Sequence, residues 1–85
     1  LKDDFEQAEK LYRKLIGEHP YLAWGYMGLG DMYELRYMTD GREEDREKAE
    51  AVWKQGLRRC AEGTDMLEER LRDLRKGDGD AGPSD

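Results

Sequence analysis

The sequence has few of the residues that build disulfides, metal sites or membrane spans. Its 85 residues include one cysteine, Cys60, and one histidine, His19. A single cysteine excludes an intramolecular disulfide and is typical of a chain kept reduced in the cytoplasm. One histidine and one cysteine are too few for the usual zinc ligand set. No apolar run approaches the roughly 20 residues of a membrane-spanning helix, so we expect no transmembrane segment.

Aliphatic residues are also scarce, whereas charged residues are abundant. Leu, Ile, Val and Phe make up 13 of the 85 residues, and 42% of the chain is Asp, Glu, Lys or Arg. Five Tyr, four Met and two Trp occur in the same segments as the aliphatic residues and complete a small core. The formal net charge of −6 argues against nucleic acid and anionic membranes as partners. A basic or apolar partner suits this composition better.

Apolar residues recur at helical spacing in four segments. This periodicity predicts helices over residues 3–19, 21–38, 44–61 and 65–76. Pro20 ends the first helix, and Gly63 is the predicted C-cap of the third. The fourth has a thin apolar stripe and balanced charge, which favours a capping helix. Residues 1–76 are therefore predicted to form the helical domain, and 77–85 a disordered acidic tail.

The second helical segment combines glycines with aromatic residues. Gly25, Gly28 and Gly30 each cost a helix about 1 kcal/mol relative to alanine. Apolar residues nearly encircle this segment, as in helices that are packed on more than one side. We therefore expect a partner helix on each side of residues 23–33.

Displacing the first helix by 41 residues aligns it with the third, so that Ala8 matches Ala49 and Tyr12 matches Trp53. An internal repeat of this length is typical of helical arrays. At these positions the chain resembles the tetratricopeptide repeat (TPR) family. One helix of that family carries an aromatic residue, Leu-Gly and Tyr, and the next carries Ala, an aromatic residue and a small residue. The residues that carry the resemblance are Phe5, Ala8, Tyr12, Pro20, Tyr26, Leu29, Gly30, Tyr33, Ala49, Trp53 and Gly56.

The resemblance covers about residues 3–61, or one and a half repeats, and implies an all-α fold. The expected architecture is an antiparallel helix array, a fragment of a TPR-like superhelix with three helices and a C-terminal capping helix. Tyr33 and Ala49 lie several positions further apart than in the family, so we expect an insertion or extended helix ends around residues 39–45. In TPR proteins the corresponding face of the second helix lines a groove for a partner segment. Its implied positions are Trp24, Met27, Gly28, Asp31, Glu34 and Leu35.

The sequence offers little for catalysis or cofactor binding. The glycine spacing of the second helix differs from that of phosphate-binding loops, and no strand precedes it. No histidine is placed to activate Cys60, and His19 beside a proline favours a surface or capping role. The carboxylates of residues 43–45 lack the alternating spacing of a calcium site. We therefore expect no enzyme activity, no metal and no cofactor.

These observations predict a non-catalytic protein-protein interaction module that binds a partner segment through its second helix. Trp24 and Met27 would be apolar anchors beside Leu35, and Asp31 and Glu34 a charged rim, which favours an apolar protein or peptide with basic residues. An alternative stays open. The same face would pack against a further repeat or a second copy, as in a structural terminal cap or a homo-oligomerisation segment, such as that of a homodimer, of a longer helical-repeat protein.

Overall fold

The computed structural model describes residues 2–79, and all regular structure in this range is α-helical. The four helices are α1 (Lys2–Glu18), α2 (Ala23–Asp40), α3 (Glu43–Arg59) and α4 (Thr64–Gly79). The predicted all-α helix array is confirmed. The last helix extends beyond its predicted end at residue 76, and residues 80–85 of the predicted tail lie outside the described range.

The helices form a thin antiparallel array in which α2 is central. It packs against α1 on one side and α3 on the other, while α4 packs mainly on α3 and makes a smaller contact with α2. The Cα atoms span 41 × 33 × 14 Å. The smallest of these dimensions corresponds to about two packed helices. The array therefore leaves part of the α2 surface uncovered.

The glycines of α2 lie where the flanking helices place aromatic rings. A Cβ added at Gly28 would meet the ring of Tyr12 in α1, with Cζ only 2.5 Å away. A Cβ at Gly30 would meet the indole of Trp53 in α3, with Cδ1 at 2.5 Å. The prediction of a partner helix on each side of this segment is confirmed. Each glycine is a recess that a large side chain of the neighbouring helix fills.

Extended helix ends, rather than a looped insertion, account for the long spacing between α2 and α3. The two helices are separated by only two residues, 41 and 42. Gly41 adopts the left-handed conformation with φ of 75°, and its N–H donates a hydrogen bond to the carbonyl of Tyr37 at 2.7 Å. Glycine adopts this conformation without the steric cost that a Cβ would add.

The start of α2 differs from the prediction. This helix begins at Ala23 rather than at residue 21, because Leu22 is extended with φ of −93° and ψ of 132°. The Leu22 N–H donates a hydrogen bond to the carbonyl of His19 at 3.1 Å. The link after Pro20 is therefore a turn that sets α2 back against α1.

The end of α3 also differs, and the predicted C-cap at Gly63 was wrong. The C-cap is Cys60, which has an extended backbone and whose N–H donates to the carbonyl of Gly56 at 2.9 Å. Gly63 instead lies in the turn directly before α4, with φ of 74°. Buried Leu67 of α4 packs onto Gly56, where an added Cβ would be 2.8 Å from Leu67 Cδ1.

Candidate functional site

One stripe of α2 remains open to solvent and carries large apolar side chains. Trp24, Leu35 and Met38 are 70%, 59% and 72% exposed. At 100° per residue these three and half-buried Asp31 lie within about 60° of arc. From first to last, the stripe runs for about 21 Å along the helix. We call these four residues the α2 stripe.

A groove between α1 and α2 lies beside the C-terminal half of this stripe. It has a volume of about 520 Å³ and an apolar floor formed by Phe5, Met32 and Leu35. Polar and charged side chains form the remainder of its wall: Asp4, Arg36, Thr39, Asp40 and Arg42. Leu35 belongs to both features, so the α1–α2 groove and the α2 stripe form one continuous surface.

Leu11 extends this surface along α1. It follows the groove-lining Asp4 by seven residues, or two helical turns, and therefore lies on the same face of α1. The Leu11 side chain is 67% exposed. Soluble proteins tolerate single exposed leucines, but several large apolar side chains on one face are typical of interaction surfaces.

Carboxylates lie on the side of the α2 stripe that faces α4, and Asp31 of the stripe is one of them. Asp31 accepts two hydrogen bonds from the Arg70 guanidinium of α4, at 2.9 and 3.1 Å. Half-buried Glu34 forms no hydrogen bond or ion pair within the part of the chain that the structure describes. Its pKa is raised, first by burial and then by the negative charge of Asp31; the positive charge of Arg70 opposes this rise, and the charge of Asp73 adds a smaller one. These three carboxylates and Arg70 form what we call the acidic cluster.

A buried ion pair stabilises the wall of the α1–α2 groove. The carboxylate of Asp45, at the start of α3, is fully buried and accepts two hydrogen bonds from Arg36, at 3.0 and 3.1 Å. The hydrogen bonds from Arg36 hold the pKa of Asp45 below its usual range. The same guanidinium lies 4.0 Å from the centroid of the Phe5 ring. Arg36 thereby joins α1, α2 and α3 at this end of the array.

A second polar group fixes the packing of α1 on α2. The Tyr33 hydroxyl donates a hydrogen bond to Glu9 at 2.6 Å and accepts one from Arg13 at 2.8 Å. The hydrogen bond from Tyr33 is the main cause of the lowered pKa of Glu9. The ring of Tyr33 also lies 5.8 Å from that of Phe5. These contacts join α1 to α2 beside the groove.

The structure divides the sequence-predicted site residues into two groups. Trp24 and Leu35 project into solvent on the α2 stripe, whereas Met27 is half-buried against the core. Asp31 and Glu34, the predicted charged rim, belong to the acidic cluster. Gly28, which the family resemblance places on the partner-binding groove of the second helix, packs against the ring of Tyr12 in α1.

Sequence reasoning missed Met38 and the α1–α2 groove. Met38 lies fourteen residues after Trp24, on the same helical face, so extending the register to the end of α2 would have included it. The groove combines Phe5 of α1 with Met32 of α2. The spacing of residues within one helix does not predict which residues of two helices line a common groove.

The structure places Cys60 in the interior and His19 at the surface. Cys60 is buried, and burial raises the pKa of its thiol. The imidazole of His19 is exposed in the turn after α1. Among the described residues, no group of His, Cys, Asp and Glu is arranged to hold a metal ion. In the same range no helix is long and apolar enough to cross a bilayer.

Comparisons with protein-family models, with curated proteins and with solved structures found no match to this chain.

Proposed function

We propose that this protein is a non-catalytic interaction module that binds a segment of another protein on the exposed face of α2. The observation that carries the proposal is the α2 stripe, which holds Trp24, Leu35 and Met38 in solvent on one face of a rigidly packed helix. Tryptophan is among the residues that most often dominate binding energy at interfaces. The flanking α1–α2 groove offers a pocket for an apolar side chain of the partner.

The close packing of the helices beneath the surface supports a binding role. Tyr12 and Trp53 occupy recesses in α2, and Arg36 joins all three helices at the groove. Binding therefore requires little ordering of the backbone, which lowers the entropy cost of association.

The TPR resemblance and a cytoplasmic location are further parts of the proposal. The resemblance is supported by the order of helices and by the close approach of Trp53 to Gly30, the glycine of the Leu-Gly pair. A chain with one cysteine, buried and unpaired, suits a reducing compartment. A TPR-like unit would use the same α2 face to bind its partner.

Peptide selection tests the function without a prior choice of partner. Peptides of about 15 residues would be selected from a random display library on the wild-type protein and then measured against Trp24→Ala and Leu35→Ala. Each substitution should weaken binding at least about tenfold, because hot-spot truncations at interfaces cost about 2 kcal/mol or more. Far-UV circular dichroism should show unchanged helicity, since both side chains are exposed.

Tyr21→Ala is the matched control for Trp24→Ala. The Tyr21 side chain is 74% exposed and lies in the link before α2. Its loss should leave the affinity of the selected peptides unchanged. Peptides that bind wild type and Trp24→Ala equally well would refute the proposed face.

A structural role in self-association is the second candidate. Trp24 and Met38 each lie seven residues from Asp31, so an antiparallel second copy would place each tryptophan opposite a methionine. Sedimentation at high micromolar concentration separates the two functions. A dimer that Trp24→Ala dissociates would favour self-association, and a monomer would favour a heterologous partner.

A further inference from the structure

We infer that the segment that occupies the α2 stripe is an amphipathic α-helix of another protein, with lysine or arginine residues facing the acidic cluster. This inference rests on the proposed function and specifies the partner of the same surface. Its apolar side would cover Trp24, Leu35 and Met38, with one large side chain in the α1–α2 groove. Its cations would lie along the edge formed by Asp31, Glu34 and Asp73.

The surface favours a helix because it offers few groups to an extended backbone. An extended segment needs hydrogen-bond partners for its own N–H and C=O groups, whereas a helix satisfies them internally. The stripe itself is apolar apart from Asp31, which Arg70 already binds. The hydroxyl of groove-lining Thr39 donates a hydrogen bond to the carbonyl of Leu35 at 2.8 Å. A helix of about 14 residues matches the 21 Å length of the stripe.

The acidic cluster favours a basic partner. Its three carboxylates share one guanidinium, that of Arg70, so the cluster carries an excess of negative charge. The Arg70 guanidinium donates two hydrogen bonds to the Asp31 carboxylate. Glu34 is half-buried and forms no ion pair with any of the described residues. A lysine or arginine supplied by the partner would relieve this repulsion. The net charge of −6 on the whole chain acts in the same direction.

The same charges disfavour a second copy of the chain as the occupant. A two-fold axis through Asp31 would bring the acidic cluster of one copy close to that of the other. Like charges that meet at an interface oppose association and act as a specificity device. Two chains of charge −6 also repel each other over the Debye length.

Three synthetic peptides test the inference. Each has about 18 residues, long enough to form a helix. The first places Leu on one face and Lys on the other, the second replaces every Lys by Glu, and the third is the Leu/Lys peptide with two central prolines. Binding is followed by tryptophan fluorescence at about 0.15 M salt, in which the 70% exposed Trp24, rather than the fully buried Trp53, is placed to contact the peptide. We expect the Leu/Lys helix to bind at least about tenfold more tightly than either of the others.

Charge substitutions locate the contact. The double variant Glu34→Gln, Asp73→Asn should weaken binding of the Leu/Lys helix at least about threefold and reduce its salt dependence. The control double variant Glu62→Gln, Glu68→Gln removes the same amount of charge at two exposed positions. Glu62 lies in the α3–α4 link, and Glu68 lies more than 100° around α4 from Arg70. It should bind as wild type does.

Several results would overturn the inference. One is that the Leu/Glu helix or the proline peptide binds as tightly as the Leu/Lys helix. Another is that the Glu34, Asp73 double variant binds the Leu/Lys helix with unchanged affinity. Absence of binding by all three peptides would also overturn it. The proposed function would survive each of these if library-selected peptides still lost affinity on Trp24→Ala. Failure of both experiments would refute the proposed function as well.

Discussion

Replacing Gly30 by alanine tests the packing on which the binding face depends. The added Cβ would lie 2.5 Å from both Cδ1 and Cε2 of the Trp53 indole, and nearer still to Nε1. Carbon atoms in good contact are about 3.5–4.0 Å apart, so the indole has to move by about 1 Å or more. Trp53 is fully buried, and its Nε1 donates to the carbonyl of Met27. A shift of this ring disturbs the whole α2–α3 contact.

The magnitude follows from two opposing effects. Overpacking a core costs about 1–3 kcal/mol, and a contact this short belongs at or above the upper end of that range. Alanine regains about 1 kcal/mol of helix propensity relative to glycine. We expect Gly30→Ala to lower the free energy of unfolding by about 2 kcal/mol. For a domain of this size that corresponds to a decrease in Tm of about 8–16 °C.

Gly17→Ala is the matched control because it makes the same chemical change at an open position of α1. Outside its own stretch of helix, no atom lies within 4 Å of a Cβ added at Gly17. Only the difference in helix propensity between glycine and alanine therefore acts. We expect a gain of about 0.5 kcal/mol near the end of that helix. Urea unfolding followed by far-UV circular dichroism measures both variants. A Gly30→Ala protein as stable as Gly17→Ala would refute the interpretation of Gly30 as a recess for Trp53.

Three further outcomes follow from buried groups. Asp45→Asn should lower the free energy of unfolding, measured in urea, by about 2 kcal/mol, because it leaves the charge of Arg36 without its partner. This loss is smaller than for a fully buried ion pair, since the Arg36 side chain is 29% exposed. Acid should destabilise the protein as pH falls below about 4. The pKa values of Asp45 and Glu9 are lowered in the folded protein, so both carboxylates contribute to its stability above their unfolded pKa values. That contribution is lost as pH falls through the folded pKa values. Circular dichroism at stepwise lower pH should show a smaller acid loss for Asp45→Asn, and an equal loss would contradict this assignment. Cys60 should react with a thiol reagent many times more slowly in the native protein than in urea, since the thiol is buried and its pKa is raised. Fast labelling of the native protein would show that the α3–α4 link opens readily.

The sequence was sufficient for the helices and for much of the exposed surface. Three- and four-residue spacing placed Trp24 and Leu35 on one face of the second helix, and their exposure agrees with that register. The glycines predicted close neighbours on both sides, because no other arrangement compensates their helix cost. These inferences depend only on local periodicity and on the conformational cost of glycine.

The ion pairs that sequence reasoning missed join side chains of different helices. Asp31 and Arg70 are 39 residues apart and meet only because α4 folds back towards α2. Asp45 is one of three consecutive carboxylates at the start of α3, yet it is fully buried and paired with Arg36. A helical pattern shows which residues are apolar but not which charges will pair.

The recesses in α2 also affect how the chain acquires its structure. Three glycines remove about 3 kcal/mol of helix propensity from α2, so this segment would be unstructured as an isolated peptide. In the described range α1 and α3 each pack on α2 but not on each other. Neither α1 nor α3 can therefore complete the burial of its apolar face until the least helix-prone segment has formed. Unfolding should be a single cooperative transition, and the amide protons that exchange most slowly with solvent should lie in α2.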